Sequence, residues 1–161
     1  MPQFSTKRRV RHSAAHMFDL VADVERYPEF VPLCRSLKVR QRILEPEGVE
    51  ILVADMTVAY KFIRETFTSR VTLDRPHRVK VRYETGPFRY LNNQWEFVAH
   101  PQGCQVAFFV EFEFRSRILQ AAIGVVFNEA VRRMVGAFNR RARQIYGPPV
   151  APHAPPAPVR S

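Results

Sequence analysis

The segment that decides the fold is residues 104–127, CQVAFFVEFEFRSRILQAAIGVVF. In its first half an apolar residue occupies every second position from Val106 to Phe114, and this period predicts a strand with one buried face. From Ser116 the pattern changes, and we predict a helix over 116–146, about 45 Å long at about 1.5 Å per residue. The first three turns of this helix are apolar nearly all round, which exceeds the single stripe that a helix on a sheet requires.

Six further strands are predicted upstream, because turn residues separate a series of strand-like runs. Their ranges are 3–12, 35–44, 49–60, 62–75, 79–84 and 88–99, and a short helix over 14–23 follows the first of them. Within 35–44 the alternation places Leu37, Val39 and Ile43 on one face. Strands joined by short turns pair antiparallel, so we predict an α+β fold. A twisted sheet of about seven strands curls, and the long helix is the element that fills its concave side.

Composition sets the class of protein. The chain has 161 residues, of which 46% are hydrophobic and 25% charged, as expected for one soluble globular domain. No apolar run reaches the ~18 residues of a membrane-spanning helix, and two cysteines, Cys34 and Cys104, are too few for a disulfide framework. The net charge is +10, because 21 Arg and 4 Lys outnumber 15 acidic residues. This charge predicts an anionic partner such as phospholipid, RNA or an acidic protein.

The two ends of the chain differ. No secretory signal is recognised at the N-terminus, because Asp19 interrupts the apolar stretch that would be needed. With no export signal and no cysteine pattern, we expect a cytoplasmic protein, and contact of its long helix with lipid would make it peripheral to the inner membrane. Residues 147–161 hold six of the 13 prolines and cannot form helix or sheet ladders. We predict a folded domain over 1–146 and a disordered Pro-rich tail over 147–161.

The long helix carries surplus apolar surface at its start and surplus positive charge further on. A covering loop would explain the apolar surplus. The alternative is contact with a membrane, where arginines hold anionic head groups. The residues predicted for this contact are Ile118, Ala122, Val126, Arg132, Arg133, Arg140 and Arg141.

Aromatic residues are abundant, with 13 Phe, 5 Tyr and 1 Trp. Ordinary core packing would explain them. The alternative is a sheet that does not close completely on its helix and leaves an apolar cavity for a flat or lipid-like ligand. From periodicity alone, the residues predicted to line it are Phe112, Phe114, Leu119, Ile123, Phe127 and Met134.

Motifs for catalysis are not found. There is no Gly-rich phosphate loop, no Gly-x-Ser-x-Gly elbow and no His/Cys cluster with metal-ligand spacing. We therefore predict no catalytic residue, no metal and no cofactor, and we expect a binding protein rather than an enzyme.

Two segments resemble a known family. Residues 23–34, DVERYPEFVPLC, and 86–97, GPFRYLNNQWEF, are similar to the two signature stretches of the coenzyme Q-binding protein family, which overlaps with the ribosome-association toxins. The coenzyme Q-binding proteins and the ribosome-association toxins both belong to the START-like, helix-grip superfamily of polyketide cyclases and lipid-transfer domains. The resemblance covers about residues 3–146. One departure is Leu33, where members of the family often carry Trp.

The resemblance implies a sheet wrapped around the C-terminal helix, with a cavity between them. It also implies non-catalytic binding of ubiquinone or a related polyprenyl quinone in support of respiration. Pro28, Phe30, Val31, Pro32 and Trp95 are carried over by motif position as pocket or entrance residues. Leu33 and Phe88 belong to the same stretches, and Tyr90, Asn93 and Trp95 are candidate donors to the quinone carbonyls.

Two alternatives stay open. An Arg-rich face also suits RNA phosphates, so the chain could be a factor that binds the large ribosomal subunit. A cyclase- or aromatase-like enzyme is a further alternative, and it would require ionisable groups in the cavity. The sequence leaves the oligomeric state open.

Overall fold

The computed structural model describes residues 3–147 and confirms the predicted α+β fold. The elements are β1 (Gln3–Val10), α1 (Ala14–Ala22), a 3₁₀ turn (Val24–Arg26), α2 (Tyr27–Phe30), β2 (Cys34–Leu44), β3 (Glu50–Tyr60), β4 (Ile63–Asp74), β5 (Arg78–Thr85), β6 (Phe88–His100), β7 (Gly103–Phe114) and α3 (Arg117–Tyr146). Each predicted bound lies within two residues of the observed one. The predicted tail, apart from Gly147, lies outside the described residues.

The sheet order explains how the helices come to lie on one face. All seven strands pair antiparallel in the order β1-β7-β6-β5-β4-β3-β2. Since β1 and β2 occupy opposite edges, the chain between them, which contains α1 and α2, must cross the sheet. Helix α3 follows β7 and packs against the same concave face, where Ile123, Phe127 and Phe138 are buried. The core therefore lies between one curved sheet and these helices.

Serine caps fix where the two longer helices begin. The Ser13 hydroxyl accepts a hydrogen bond from the His16 backbone N–H at 3.1 Å, and the Ser116 hydroxyl accepts one from Leu119 N–H at 3.2 Å. Each cap satisfies one of the N–H groups that the first turn of a helix leaves without a partner. Helix α3 ends at Gly147, whose φ of 81° suits glycine.

A bulge in β2 corrects one detail of the predicted strand. Between Val39 and Gln41 the register shifts by one residue, and an extra residue moves the side chains that follow to the opposite face. Ile43 consequently pairs with Ile51 on the convex face, whereas Leu37 and Val39 pack against the core. The prediction that all three share one face is wrong, because alternation alone does not reveal a bulge.

Phe138 of α3 joins the two signature segments. Its ring lies edge-on to Tyr27 and Phe30 of the first segment, with centroids 5.3 and 5.1 Å away. It also contacts Trp95 of the second segment at 5.0 Å. Phe138 is 3% exposed, so these contacts belong to the core and hold α2 and β6 to the same turn of α3.

We predict that Phe138→Ala lowers the free energy of unfolding by about 3–5 kcal/mol, because three rings lose their common partner. Phe62→Ala is the matched control: Phe62 is 75% exposed, and its loss should change stability by less than about 0.5 kcal/mol. Urea unfolding followed by circular dichroism measures both. Similar small losses for the two variants would contradict this role of Phe138.

Candidate functional site

An apolar chamber lies between the concave face of the sheet and α3. It consists of two cavities of about 160 Å³ each. The first cavity lies against Trp95 and Phe138, and the second lies nearer the start of α3, against Ile123 and Phe127. The two cavities share the lining residues Leu33, Val58, Leu91, Val110 and Met134. We treat them as one chamber with two lobes.

Nine of the predicted ligand-binding residues line this chamber. The first cavity contacts Val31, Leu33, Asn93, Trp95 and Met134, and the second contacts Leu33, Phe112, Phe114, Ile123, Phe127 and Met134. Both signature segments and α3 therefore line the same chamber.

Six other candidates lie elsewhere. Pro28 and Pro32 are exposed, Leu119 is half-buried, and Phe30 packs against Phe138 outside the chamber. These four, together with Phe88 and Tyr90, are not part of the lining.

Phe88 and Tyr90 are placed by a bulge at the start of β6. The register shifts between these two residues. Phe88 is buried behind the chamber and stacks on Phe114 with centroids 4.7 Å apart. Tyr90 pairs with Glu113 on the convex face, so its hydroxyl is not a donor to a ligand in the chamber. The prediction of Tyr90 as such a donor is wrong, because successive residues of a strand point to opposite faces and Tyr90 is out of phase with Trp95.

The sequence did not predict most of the other residues that line the chamber. Val24 and Tyr27 come from the crossing segment, and the sheet supplies Leu37, Ala54, Met56, Val58, Phe67, Ser69, Val71, Val79, Val81, Leu91, Phe108 and Val110. The second cavity adds Tyr60, Ile63, Ala130 and Val131. The alternation in β3, β4 and β5 was the available signal for the positions on those three strands.

Few polar groups meet the first cavity. The Tyr27 hydroxyl donates to the carbonyl of Val21, and burial raises the pKa of this phenol. The Asn93 amide donates to the Phe109 carbonyl at 2.8 Å. Ser69 is 4% exposed and lines the cavity between apolar neighbours. The cavity can thus position a ligand that carries one or two polar atoms on an otherwise apolar body.

The segment that closes the chamber is held to α3 from outside. Arg141 donates to Glu29 at 2.6 Å, and its guanidinium lies 5.0 Å from the centre of the Phe30 ring. The Arg141 side chain is only 19% exposed. Arg141, which was predicted to contact anions, is therefore engaged in holding α2 and is not on an open surface.

Burial makes the thiols of both cysteines unreactive. Cys34 is the last residue of the first signature segment and the first residue of β2, and burial raises the pKa of its thiol to about 12. Burial likewise raises the pKa of Cys104 to about 11. Because the thiolate is the reactive form, neither group supplies a nucleophile at neutral pH.

One end of the sheet combines apolar and basic side chains. The turn between β3 and β4 meets α3 there, since the Tyr60 hydroxyl donates to Glu129 at 2.9 Å; this bond is the largest cause of the lowered pKa of Glu129. Phe62 and Ile118 are 75% and 83% exposed. We call this surface the basic end; it comprises Lys61, Phe62, Arg64, Arg115, Arg117 and Ile118. Its four cations make no ion pair within the described residues.

The residues of α3 that were predicted to contact a membrane differ in their surroundings. Ala122 and Val126 are half-buried and pack against the core, whereas Ile118 belongs to the basic end. Arg132 and Arg140 are exposed further along the helix, and Arg133 pairs with Glu129 at 3.2 Å.

Within residues 3–147, no cluster of three or more potential metal ligands occurs. His12 bonds to the Gly147 carbonyl at 3.1 Å, and His16 stacks on Tyr146 at 4.1 Å, so both imidazoles contact the end of α3. In the same described range, no helix has both the length and the apolar character needed to cross a bilayer.

Comparisons with known proteins find relatives that match most of the chain. The chain is 38% identical over 148 residues to the ribosome association toxin RatA of Vibrio cholerae, which covers 91% of this chain and 99% of that protein. It is 33% identical over 151 residues to the mitochondrial coenzyme Q-binding protein COQ10 of Drosophila melanogaster, covering 91% of this chain and 60% of that protein.

A solved structure and a family model match most of the chain as well. The solution structure of the 18 kDa protein CC1736 from Caulobacter crescentus has a TM-score of 0.77 and 30% identity, covering 92% of this chain and 100% of that one. The family described as polyketide cyclase / dehydrase and lipid transport matches residues 10–139. The predicted resemblance is confirmed, and the chain belongs to the polyketide cyclase / dehydrase and lipid transport family.

Proposed function

We propose that the chain binds ubiquinone or a related polyprenyl quinone in its chamber without catalysing a reaction on it. The observation that carries this proposal is the chamber itself, which is apolar in both lobes and lined by both signature segments. An apolar cavity of about 150 Å³ stays dry and is large enough to hold benzene. Each lobe therefore has room for one ring or a similar volume of isoprenoid tail.

The energetics favour a carrier of this kind. Burial of apolar surface contributes about 25 cal/mol per Å², so a ligand that buries several hundred Å² gains on the order of 10 kcal/mol before ordering costs. A quinone has such a surface in its tail and only a few polar atoms in its ring. The name of the coenzyme Q-binding relative supports the same ligand class.

The few polar side chains that line the chamber favour ligand binding over acid–base catalysis. In the described lining, the ionisable side chains are Tyr27 and Tyr60, and burial is the largest cause of the raised pKa of each. Both phenols are therefore neutral at ordinary pH. A cyclase would need groups that change protonation near neutral pH, and no specific observation favours that alternative here.

Chamber occupancy tests this function directly. We predict that protein purified from a quinone-producing host yields a stoichiometric prenylated quinone on solvent extraction and mass spectrometry. Ala54→Phe should reduce the amount at least about tenfold, because Ala54 lines the first cavity and a ring there fills it. The control is Ala107→Phe, the same change on the opposite face of the sheet. An empty extract, with no binding after quinone is added back in detergent, would exclude the proposal.

We further propose that the basic end docks on the anionic surface of a membrane, at its cytoplasmic face, where the ligand is exchanged. Two large apolar side chains, Phe62 and Ile118, project there among four cations that make no direct ion pair in the described range. The second cavity reaches the same region through Tyr60. Each cation near such a surface contributes about 1 kcal/mol, and the apolar side chains add burial in the interfacial layer.

Two double charge reversals separate this surface from a general effect of net charge. We predict that Lys61→Glu/Arg117→Glu lowers co-sedimentation with anionic vesicles at least about tenfold. Arg132→Glu/Arg140→Glu changes the net charge equally on exposed positions further along α3 and should have a smaller effect. Vesicles of neutral lipid provide the background. Equal losses for both variants would assign the binding to net charge and not to the basic end.

Ribosome association is the second candidate function. The relatives named ribosome association toxins support it, and the convex face carries a basic patch of Arg70, Lys80 and Arg82. Arg70 lies directly opposite Arg82 on neighbouring strands, an arrangement that costs stability. Arg70 is partly neutralised by Glu84 at 3.0 Å, whereas Lys80 and Arg82 make no ion pair within the described residues. RNA phosphates would stabilise this patch.

The ribosome proposal predicts co-migration with the large ribosomal subunit in a sucrose gradient at low salt and release at moderate salt, because phosphate contacts are salt-dependent. Lys80→Glu/Arg82→Glu should abolish co-migration, whereas Lys61→Glu/Arg117→Glu, with the same charge change, should retain most of it. Binding that survives the first variant would exclude the convex patch as the contact.

A further inference from the structure

We infer that the chamber selects the reduced form of its ligand, a hydroquinone or similar phenol, over the oxidised quinone. This inference rests on the proposed function and concerns the polar atoms that face the ring. Asn93 is the residue that decides it. It lies on β6 between Val81 and Val110 of the neighbouring strands and lines the first cavity.

The orientation of the Asn93 amide follows from its partner. Asn93 lies 2.8 Å from the backbone carbonyl oxygen of Phe109. A carbonyl oxygen can only accept a hydrogen bond, so the atom that faces it must be Nδ2, the donating end of the amide. The assignment thus rests on hydrogen-bond chemistry, which is how the two ends of an amide are told apart.

The other end of this amide is consequently an acceptor. The carbonyl oxygen Oδ1 of Asn93 has no donor among the described residues. An acceptor in an apolar cavity favours a ligand that donates a hydrogen bond, because a buried acceptor without a donor loses the hydrogen bonds that water gave it. Nδ2 carries a second N–H, so the donation to a quinone carbonyl expected from the sequence stays a prediction, whereas Oδ1 can be satisfied only by a ligand that donates.

The two redox forms of the ligand differ at this point. A quinone carbonyl only accepts, so opposite Oδ1 it places two acceptors together. A hydroquinone hydroxyl both donates and accepts. It can donate to Asn93 Oδ1 and accept from the indole N–H of Trp95, which makes no hydrogen bond to the described residues. Residues 93 and 95 are two positions apart on one strand, so their side chains share a face about 7 Å apart along it.

A second polar group in the cavity does not oppose this preference. Ser69 of β4 lines the same cavity, and its hydroxyl can donate or accept. It therefore accommodates either redox form, and the discrimination comes from Asn93 alone. One hydrogen bond made by the hydroquinone and replaced by an unfavourable contact in the quinone corresponds to at least about tenfold in affinity.

Such a preference would change the redox behaviour of the bound ligand. Tighter binding of the reduced form raises the midpoint potential of the bound couple. A tenfold preference corresponds to about 30 mV for a two-electron couple. The protein would then hold and deliver the reduced carrier in preference to the oxidised one.

The experiment measures dissociation constants of the full chain for a short-tailed ubiquinone and for its anaerobically reduced form, by titration calorimetry. We expect the reduced form to bind at least about tenfold more tightly. Asn93→Leu should remove the difference by weakening the reduced form. The control is Asn92→Leu, the same change at the adjacent residue, whose amide donates to Glu111 on the convex face; it should leave the ratio unchanged.

The outcomes separate the two proposals. Equal or tighter binding of the oxidised form to the unmodified chain, or a preference that survives Asn93→Leu, would overturn the inference and leave the quinone-binding function standing. Failure of both forms to bind the unmodified chain would overturn the proposed function as well. The comparison on the unmodified chain decides the question even if Asn93→Leu fails to fold.

Discussion

The contact of Phe138 with three other rings is the interaction on which the rest of the site depends. A curved sheet with a helix on its concave side does not by itself create a ligand cavity, because side chains ordinarily fill such a space to crystal-like density. Here one phenylalanine on α3 receives Tyr27 and Phe30 from the crossing segment and Trp95 from β6. These contacts hold one end of the helix tightly, and the chamber lies beside them.

The order of the strands explains why the chamber has a separate closing segment. Since β1 and β2 lie at opposite edges of the sheet, the residues between them must pass over the concave face. Tyr27, Val31 and Leu33 consequently face the chamber from the crossing segment. The ion pair of Glu29 with Arg141 fixes the outer side of the same segment. One stretch of chain thus forms part of the chamber wall on its inner side and a link to α3 on its outer side.

The sequence predicted elements well and exact faces less well. The alternation from Val106 to Phe114 and the helix cap at Ser116 lie within the sequence itself, so the bounds of β7 and α3 could be derived from them. Bulges could not be derived, because an extra residue leaves no trace in composition. They place Ile43 on the convex face and bring Phe88 to the inner one.

In the site, residues within a motif could be predicted from the sequence, whereas contacts between residues far apart in the sequence could not. The signature segments supplied Val31, Leu33, Asn93 and Trp95 as pocket, entrance or donor candidates, and all four line the first cavity. The partner of Arg141 is a glutamate 112 residues away in sequence, and only tertiary structure brings such groups together. The role of Asn93 depends on the Phe109 carbonyl of a neighbouring strand, which no motif specifies.

Scarcity of polar atoms makes each one in the chamber decisive. In a polar site a misplaced acceptor can turn to water or to a neighbouring donor at little cost. An acceptor that a bound ligand separates from water in an apolar cavity has no such alternative, and it then loses the hydrogen bonds that water gave it. Val81, Val110 and Met134 line the same cavity and offer a ligand no strong hydrogen-bonding group. No hydrogen bond from these residues can therefore offset the preference of the single amide oxygen of Asn93. Under the proposed function, the same apolar surroundings that would give the ligand its affinity would let Asn93 discriminate between ligands.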